Sequence, residues 1–297
     1  MTTILVNALI VTMDEALTVH EGGWLRVDGA TITALGPGTP PAIPGAEIVD
    51  CGGDIVMPGM VNTHCHMAMS VFRGLGEDVD DRLYRYILPL ERKFVSPEMV
   101  RAGSALSALE MIEGGVTTVA DMYYFETEVG AVCAEAGLRA IVGQTLADFD
   151  PPDHRNFEEG FARVEELVDA FGGHPLVIPS IAPHAPYSTG REVMARVARW
   201  SADHPDVPVQ MHLAESTLEV NWARDTHGKS TVAVTAESGL LKPNLICAHC
   251  LQLDDADITL MAEHQVCAAT NPRSNGKAGR GIAPVEKLRH AGIPVGI

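Results

Sequence analysis

The chain has 297 residues, 46% of them hydrophobic, which suffices for one large single-core domain or for a barrel with a small satellite. It carries 21 basic against 39 acidic side chains, a net charge of −18, and no stretch gathers Lys and Arg into a stripe. That balance argues against a nucleic-acid partner, whose affinity comes from phosphate neutralisation; it is compatible with a small neutral or cationic substrate, though its first reading is solubility.

The opening Met1–Val6 has no charged n-region and no long apolar core, so no signal peptide is expected. No run of 18 apolar residues exists, so no membrane span is expected. Cysteines 51, 65, 133, 247, 250 and 267 are scattered through apolar segments, as reduced thiols of a cytoplasmic protein would be. Cys247 and Cys250 form a C-x-x-C, but no second pair with zinc-site spacing accompanies it.

In chain order, residues 3–12, 23–28, 31–35 and 47–50 are short β-type runs separated by turn residues such as Asp28-Gly29 and Gly36-Pro37-Gly38. They predict a small antiparallel β-domain over residues 1–55. From there the pattern alternates. Strand-like runs at 55–63, 116–121, 138–143, 176–182, 207–213, 244–249, 266–270 and 293–297 are interleaved with helical periodicity. Helices are expected over Ser96–Gly114, Phe157–Phe171, Arg191–Asp203 and Asp254–His264, with Ser96 as N-cap and Pro97 at N1 of the first. Eight such units predict an α/β fold, a (β/α)8 TIM barrel over residues 56–297.

In such a barrel the chemistry gathers at the C-terminal ends of the strands. The polar residues fall there: His64 and His66 after the first strand, His184 after the fourth, His212 and Glu215 after the fifth, His249 after the sixth, Asn271 after the seventh. On a strand, residues i and i+2 share a face, so His64 and His66 converge while Cys65 points away. A lone buried histidine is usually a hydrogen-bonded core residue. Five at one end of four strands point instead to a metal-dependent site. His64, His66 and His212 are the natural ligand set for one divalent metal, zinc first and iron as the alternative. A metal with an open position makes hydroxide available at neutral pH. Glu215, three residues past His212, is placed as the proton shuttle, and His249 to polarise the nucleophile or stabilise developing charge. Gly228-Lys229-Ser230 fails as a phosphate loop because Ala223 stands where glycine is required. Asn271–Gly281 is Gly-rich and basic and reads as an active-site loop.

The segments Met57-Pro58-Gly59 to His66, Leu88–Glu91, Gly115–Met122, Pro183–Tyr187, His212–Glu215, Ala248–Cys250 and Asn271–Pro284 occur in the order seen in the amidohydrolase superfamily. The chain resembles its cytosine deaminase / triazine hydrolase branch, and there the 5-methylthioadenosine/S-adenosylhomocysteine deaminase group. The resemblance implies a metal-dependent hydrolytic deaminase of an amino-substituted purine nucleoside or related heteroaromatic ring. It implies His64, His66 and His212 as ligands, Glu215 as shuttle and His249 as catalytic histidine. Glu91 would hold ribose hydroxyls, His184 would touch substrate, and Arg155 would bind the distal group. Gln144 stands where a second such arginine would align, so a smaller nucleoside remains open. The alternatives are a triazine-type chlorohydrolase using the same residues, or an inactive fragment acting by binding. A homo-oligomer is left open. The resemblance also implies a fourth ligand, an Asp after strand eight. The sequence stops at Ile297 in that strand, so the C-terminal part is expected to be missing.

Overall fold

The structure is a computed structural model that describes residues 1–76, 79 and 82–297. The chain divides into two compact units, Met1–Met60 and Val61–Ile297.

The first unit is a sheet of β1 (Thr2–Val11), β2 (Val19–Asp28), β3 (Thr31–Pro37), β4 (Glu47–Asp50) and β5 (Ile55–Val56). Alternation along β1 buries Ile4, Ala8 and Ile10, and Leu25 of β2 joins the latter two in a small core. The expected antiparallel arrangement holds only for β1–β2 and β2–β3. β4 and β5 both run parallel to β1, so the sheet is mixed. The long connection after β3 carries the chain back across the sheet, where a tight hairpin would have reversed it.

The second unit holds eight parallel strands in sequential order: β6 (Met60–Cys65), β7 (Val116–Tyr123), β8 (Arg139–Leu146), β9 (Val177–Pro183), β10 (Val209–Leu213), β11 (Leu245–His249), β12 (Cys267–Ala269) and β13 (Val295–Gly296). The apolar run at 55–63 is thus two strands, divided by Pro58-Gly59. Proline lacks a ladder donor there and glycine weakens a strand interior. The Thr63 N–H donates to the Ile297 carbonyl at 3.0 Å, which joins the first barrel strand to the last. Gly296 permits this approach, because a Cβ there would lie 2.3 Å from Thr63 Cγ2.

Helices α1 (Leu88–Phe94), α2 (Pro97–Glu113), α3 (Glu126–Ala136), α4 (Phe157–Phe171), α5 (Pro186–Asp203), α6 (Thr217–His227), α7 (Thr231–Glu237), α8 (Asp255–Glu263), α9 (Pro272–Lys277) and α10 (Val285–His290) connect the strands. Ser96, Asn156, Ser216, Ser230 and Asp254 each cap a helix by accepting the N–H three residues on. Strands covered on both faces read as near-continuous apolar runs, and every residue of β10 is buried. Met211, Leu213, Ile181, Met194, Leu245 and Met261 form the main core. The stretch Asn271–Gly281, expected as a loop, contains α9. Among the described residues no helix is long and apolar enough to cross a membrane.

Candidate active site

The strand ends bring three imidazoles to one point. The ligand atoms of His64, His66 and His212 lie within 4.8 Å of one another. His66 Nδ1 donates to the Met122 carbonyl at 2.5 Å, and His212 Nδ1 to the His184 carbonyl at 2.7 Å. A carbonyl only accepts, so both Nδ1 atoms carry their protons and both Nε2 lone pairs are free. Those two Nε2 atoms face each other at 3.3 Å. Two lone pairs at that distance repel unless a cation or a proton lies between them. A proton is disfavoured: burial first, then the neighbouring imidazoles, holds His64 and His212 well below the usual histidine range. Burial also lowers His66. Three neutral imidazoles whose ligand atoms converge, two of them with their Nε2 lone pairs oriented inward, are a donor set that fits a divalent ion.

Glu215 and His249 stand together beside this point. β10 and β11 pair in parallel with Leu213 opposite His249, so the residues after the two strands emerge side by side. His249 Nε2 is 3.3 Å from Glu215 Oε1, and its Nδ1 pairs with Asn275 Oδ1 at 2.8 Å. Burial lowers His249, and the Asn275 bond opposes that. The Arg280 guanidinium also pairs with Glu215. Ala214 (φ 53°), His249 (φ 74°) and Cys250 (φ 51°) all adopt left-handed backbone, a strain that only an over-determined surrounding maintains.

His184 lends its carbonyl to His212, and its Nδ1 pairs with Ser188 Oγ at 2.7 Å. Burial, with His66 and His249 nearby, lowers it to about 3. Glu91 of α1 is buried and accepts from the Tyr123 hydroxyl at 2.8 Å. The Tyr123 ring in turn lies 6.2 Å from the His66 ring. Burial pushes the Glu91 carboxyl up to about 7, against the lowering effect of Tyr123.

Arg155 lies apart. It is exposed in the β8–α4 loop, where its N–H donates to Glu159 at 2.9 Å, and it lines a separate cavity of about 250 Å³ with Asp153, His154 and Arg163. Gln144 is buried and turned to Asp153, its Nε2 donating to Oδ2 at 2.8 Å. The same Asp153 oxygen accepts the Phe125 N–H at 2.8 Å, which ties this loop to the start of α3.

Two site residues escaped the sequence reading: Asn275, which orients His249, and Arg280, which meets Glu215. Asn271, expected at the end of the seventh strand, turns its Nδ2 to the His64 carbonyl at 3.4 Å. All three lie in the Asn271–Gly281 stretch already marked as active-site chain, though nothing local signals which side chain turns inward. Asp121 Oδ1 accepts the Met67 N–H at 2.5 Å and so braces the turn just after His66.

The description of the amidohydrolase family matches residues 55–297. The chain is 36% identical over 299 residues to a 5-methylthioadenosine/S-adenosylhomocysteine deaminase 1 of Syntrophus aciditrophicus, which covers 99% of this chain and 67% of the relative. It is 38% identical over 247 residues to a 5'-deoxyadenosine deaminase of Methanopyrus kandleri, covering 82% of this chain and 56% of that protein. Among solved structures it is similar to an adenosine deaminase from Xanthomonas campestris with bound zinc, with a TM-score of 0.89, 31% identity, and coverage of 99% and 67% of the two chains. With a family match across the whole barrel and relatives above 30% identity, the chain belongs to the amidohydrolase family.

Proposed function

We propose that the site removes the exocyclic amine of an amino-substituted purine nucleoside or a related heteroaromatic ring by hydrolysis, releasing ammonia. The observation that carries this reading is the facing pair of Nε2 lone pairs on His66 and His212, with Glu215 and His249 beside it. The nucleoside deaminase names of the relatives support the substrate class. Zinc is the ion this donor set suits, and when bound it supplies a Lewis acid and a water acidified towards about pH 7.

The protein's own groups then divide the work. Glu215, ionised beside Arg280, takes the proton of the attacking water and delivers it to the ring nitrogen next to the carbon under attack. The same carboxylate then takes the proton of the newly added hydroxyl and hands it to the departing amine, so that the C=O forms as the C–N bond breaks and ammonia leaves. His249, its Nδ1–H held by Asn275, turns Nε2 towards Glu215 and the reacting centre, and in its protonated form it donates from Nε2 to the developing oxyanion charge. Glu91 holds the ribose hydroxyls as an acceptor, with its second partner Tyr123 fixing its position. His184 lines the base-binding side, whereas Arg155, exposed and facing a separate cavity, carries no role in this reading. The test is a substrate panel with the zinc-loaded chain: adenosine, 5'-deoxyadenosine, 5-methylthioadenosine and chloro- and amino-triazines. Ammonia release from the nucleosides supports the proposal. Turnover of the triazines with inert nucleosides would replace it with the chlorohydrolase reading.

A further inference from the structure

Glu219 sits in α6, a turn beyond Glu215, and is 1% exposed. Its two carboxyl oxygens accept two consecutive backbone N–H groups: Oε1 takes Ala214 at 2.8 Å and Oε2 takes Glu215 at 2.9 Å. Ser216 is the N-cap of α6 and Glu219 is at N3. In the usual capping arrangement an N3 glutamate reaches back to the N–H of the N-cap residue itself. Here it reaches past that residue to the two before it, which lie at the end of β10 and not in the helix.

The other side of the same turn is held from β11. The Leu251 and Gln252 N–H groups donate to the Ala214 carbonyl at 3.0 and 2.8 Å, and Cys250 N–H to the Leu213 carbonyl at 3.1 Å. The Ala214 backbone is therefore clamped in its left-handed conformation, by Glu219 on its donors and by the chain after His249 on its acceptor. This turn sets where the Glu215 side chain leaves the barrel.

We infer that Glu219 is a positioning residue for Glu215, locking the Ala214–Glu215 turn so that the shuttle carboxylate meets His249 across the site. The inference rests on the deaminase reading for its kinetic consequence but not for its geometry. It is tested with Glu219→Gln and Glu219→Ala in the metal-loaded chain. Glutamine keeps the size and one acceptor but sets an NH2 donor against one of the two N–H groups. A displacement of the shuttle by about 1 Å costs on the order of 100-fold in rate. The expected result is a fall in kcat of roughly 10- to 100-fold, with KM within about twofold and metal content unchanged. In a Glu215→Gln background, adding Glu219→Gln should cost nothing further, because the group it positions has been disabled. A crystal structure of Glu219→Gln should show the Glu215 carboxyl displaced from its 3.3 Å contact with His249 Nε2. Unchanged kcat, an equal loss in both backgrounds, or a loss that tracks folded or metal-bound protein would overturn the assignment. If the parent chain turns over no nucleoside, the functional reading fails separately. The crystal structure still decides, and an unmoved Glu215 in Glu219→Gln sinks the clamp.

Discussion

Replacing Glu91 with Gln should stabilise the protein at alkaline pH and leave it nearly unchanged at acid pH. Glu91 is buried against Tyr123, and burial lifts its carboxyl from 4.5 to about 7. In the unfolded chain the group loses its proton near pH 4.5, whereas in the folded chain it keeps the proton until about pH 7. Between those values the folded state binds the extra proton, so stability falls as pH rises and levels off above about 7. At 1.36 kcal/mol per pH unit, the gap from 4.5 to about 7 corresponds to about 3 kcal/mol. Glutamine accepts the same Tyr123 bond and never ionises, so it escapes that cost. Urea denaturation of both proteins at pH 5 and pH 8 measures it. The advantage of Glu91→Gln over the parent should grow between the two pH values by most of about 3 kcal/mol, or by several degrees in a thermal scan. The same variant should lose affinity for ribosides, because an amide binds a hydroxyl pair less well than a carboxylate. A stability difference that is flat with pH would refute the account of Glu91 as a buried, costly acceptor retained for substrate.

Zinc titration of the metal-free chain should find one tight site, and His212→Ala or His66→Ala should weaken it by at least about 100-fold, since each removes one of the two hydrogen-bonded, oriented donors of the three-histidine set. Asn275→Leu removes the acceptor on His249 Nδ1, and turnover should fall about tenfold with metal content unchanged, the effect of one lost hydrogen bond of about 1.4 kcal/mol. Gly103→Ala should destabilise the barrel by about 1–3 kcal/mol in urea titration, because the new Cβ would sit 2.4 Å from the Ala68 carbonyl oxygen. Helix propensity alone predicts the opposite sign, a gain of about 1 kcal/mol, so the sign of the measurement separates packing from propensity.

The central barrel strands were legible because they are buried on both faces, and a continuous apolar run such as Val209–Leu213 has few other readings. The strand-end histidines were legible for a related reason: polar residues that interrupt buried strands at the same end must have company. Local contrast failed elsewhere. Periodicity reads α5 only from Arg191, because Gly190 (φ 73°) breaks the helical backbone and hides the turn that begins at Pro186. The direction of β4 depends on how a nine-residue connection crosses the sheet, which no local pattern encodes. The tasks of Asn275 and Glu219 are set by partners 26 and 4–5 residues away that only the folded chain brings into contact. Glu219 also hides inside an S-x-x-E capping signature, where its ordinary role is helix initiation.

The most direct measurement of the deaminase account is ammonia release from adenosine-type nucleosides by the zinc-loaded chain and by its Glu215→Gln variant at equal metal content. The account predicts turnover by the parent and a fall of roughly 10²- to 10⁴-fold in kcat for Glu215→Gln, the contribution of a positioned proton shuttle. Parent-like turnover in Glu215→Gln would contradict it.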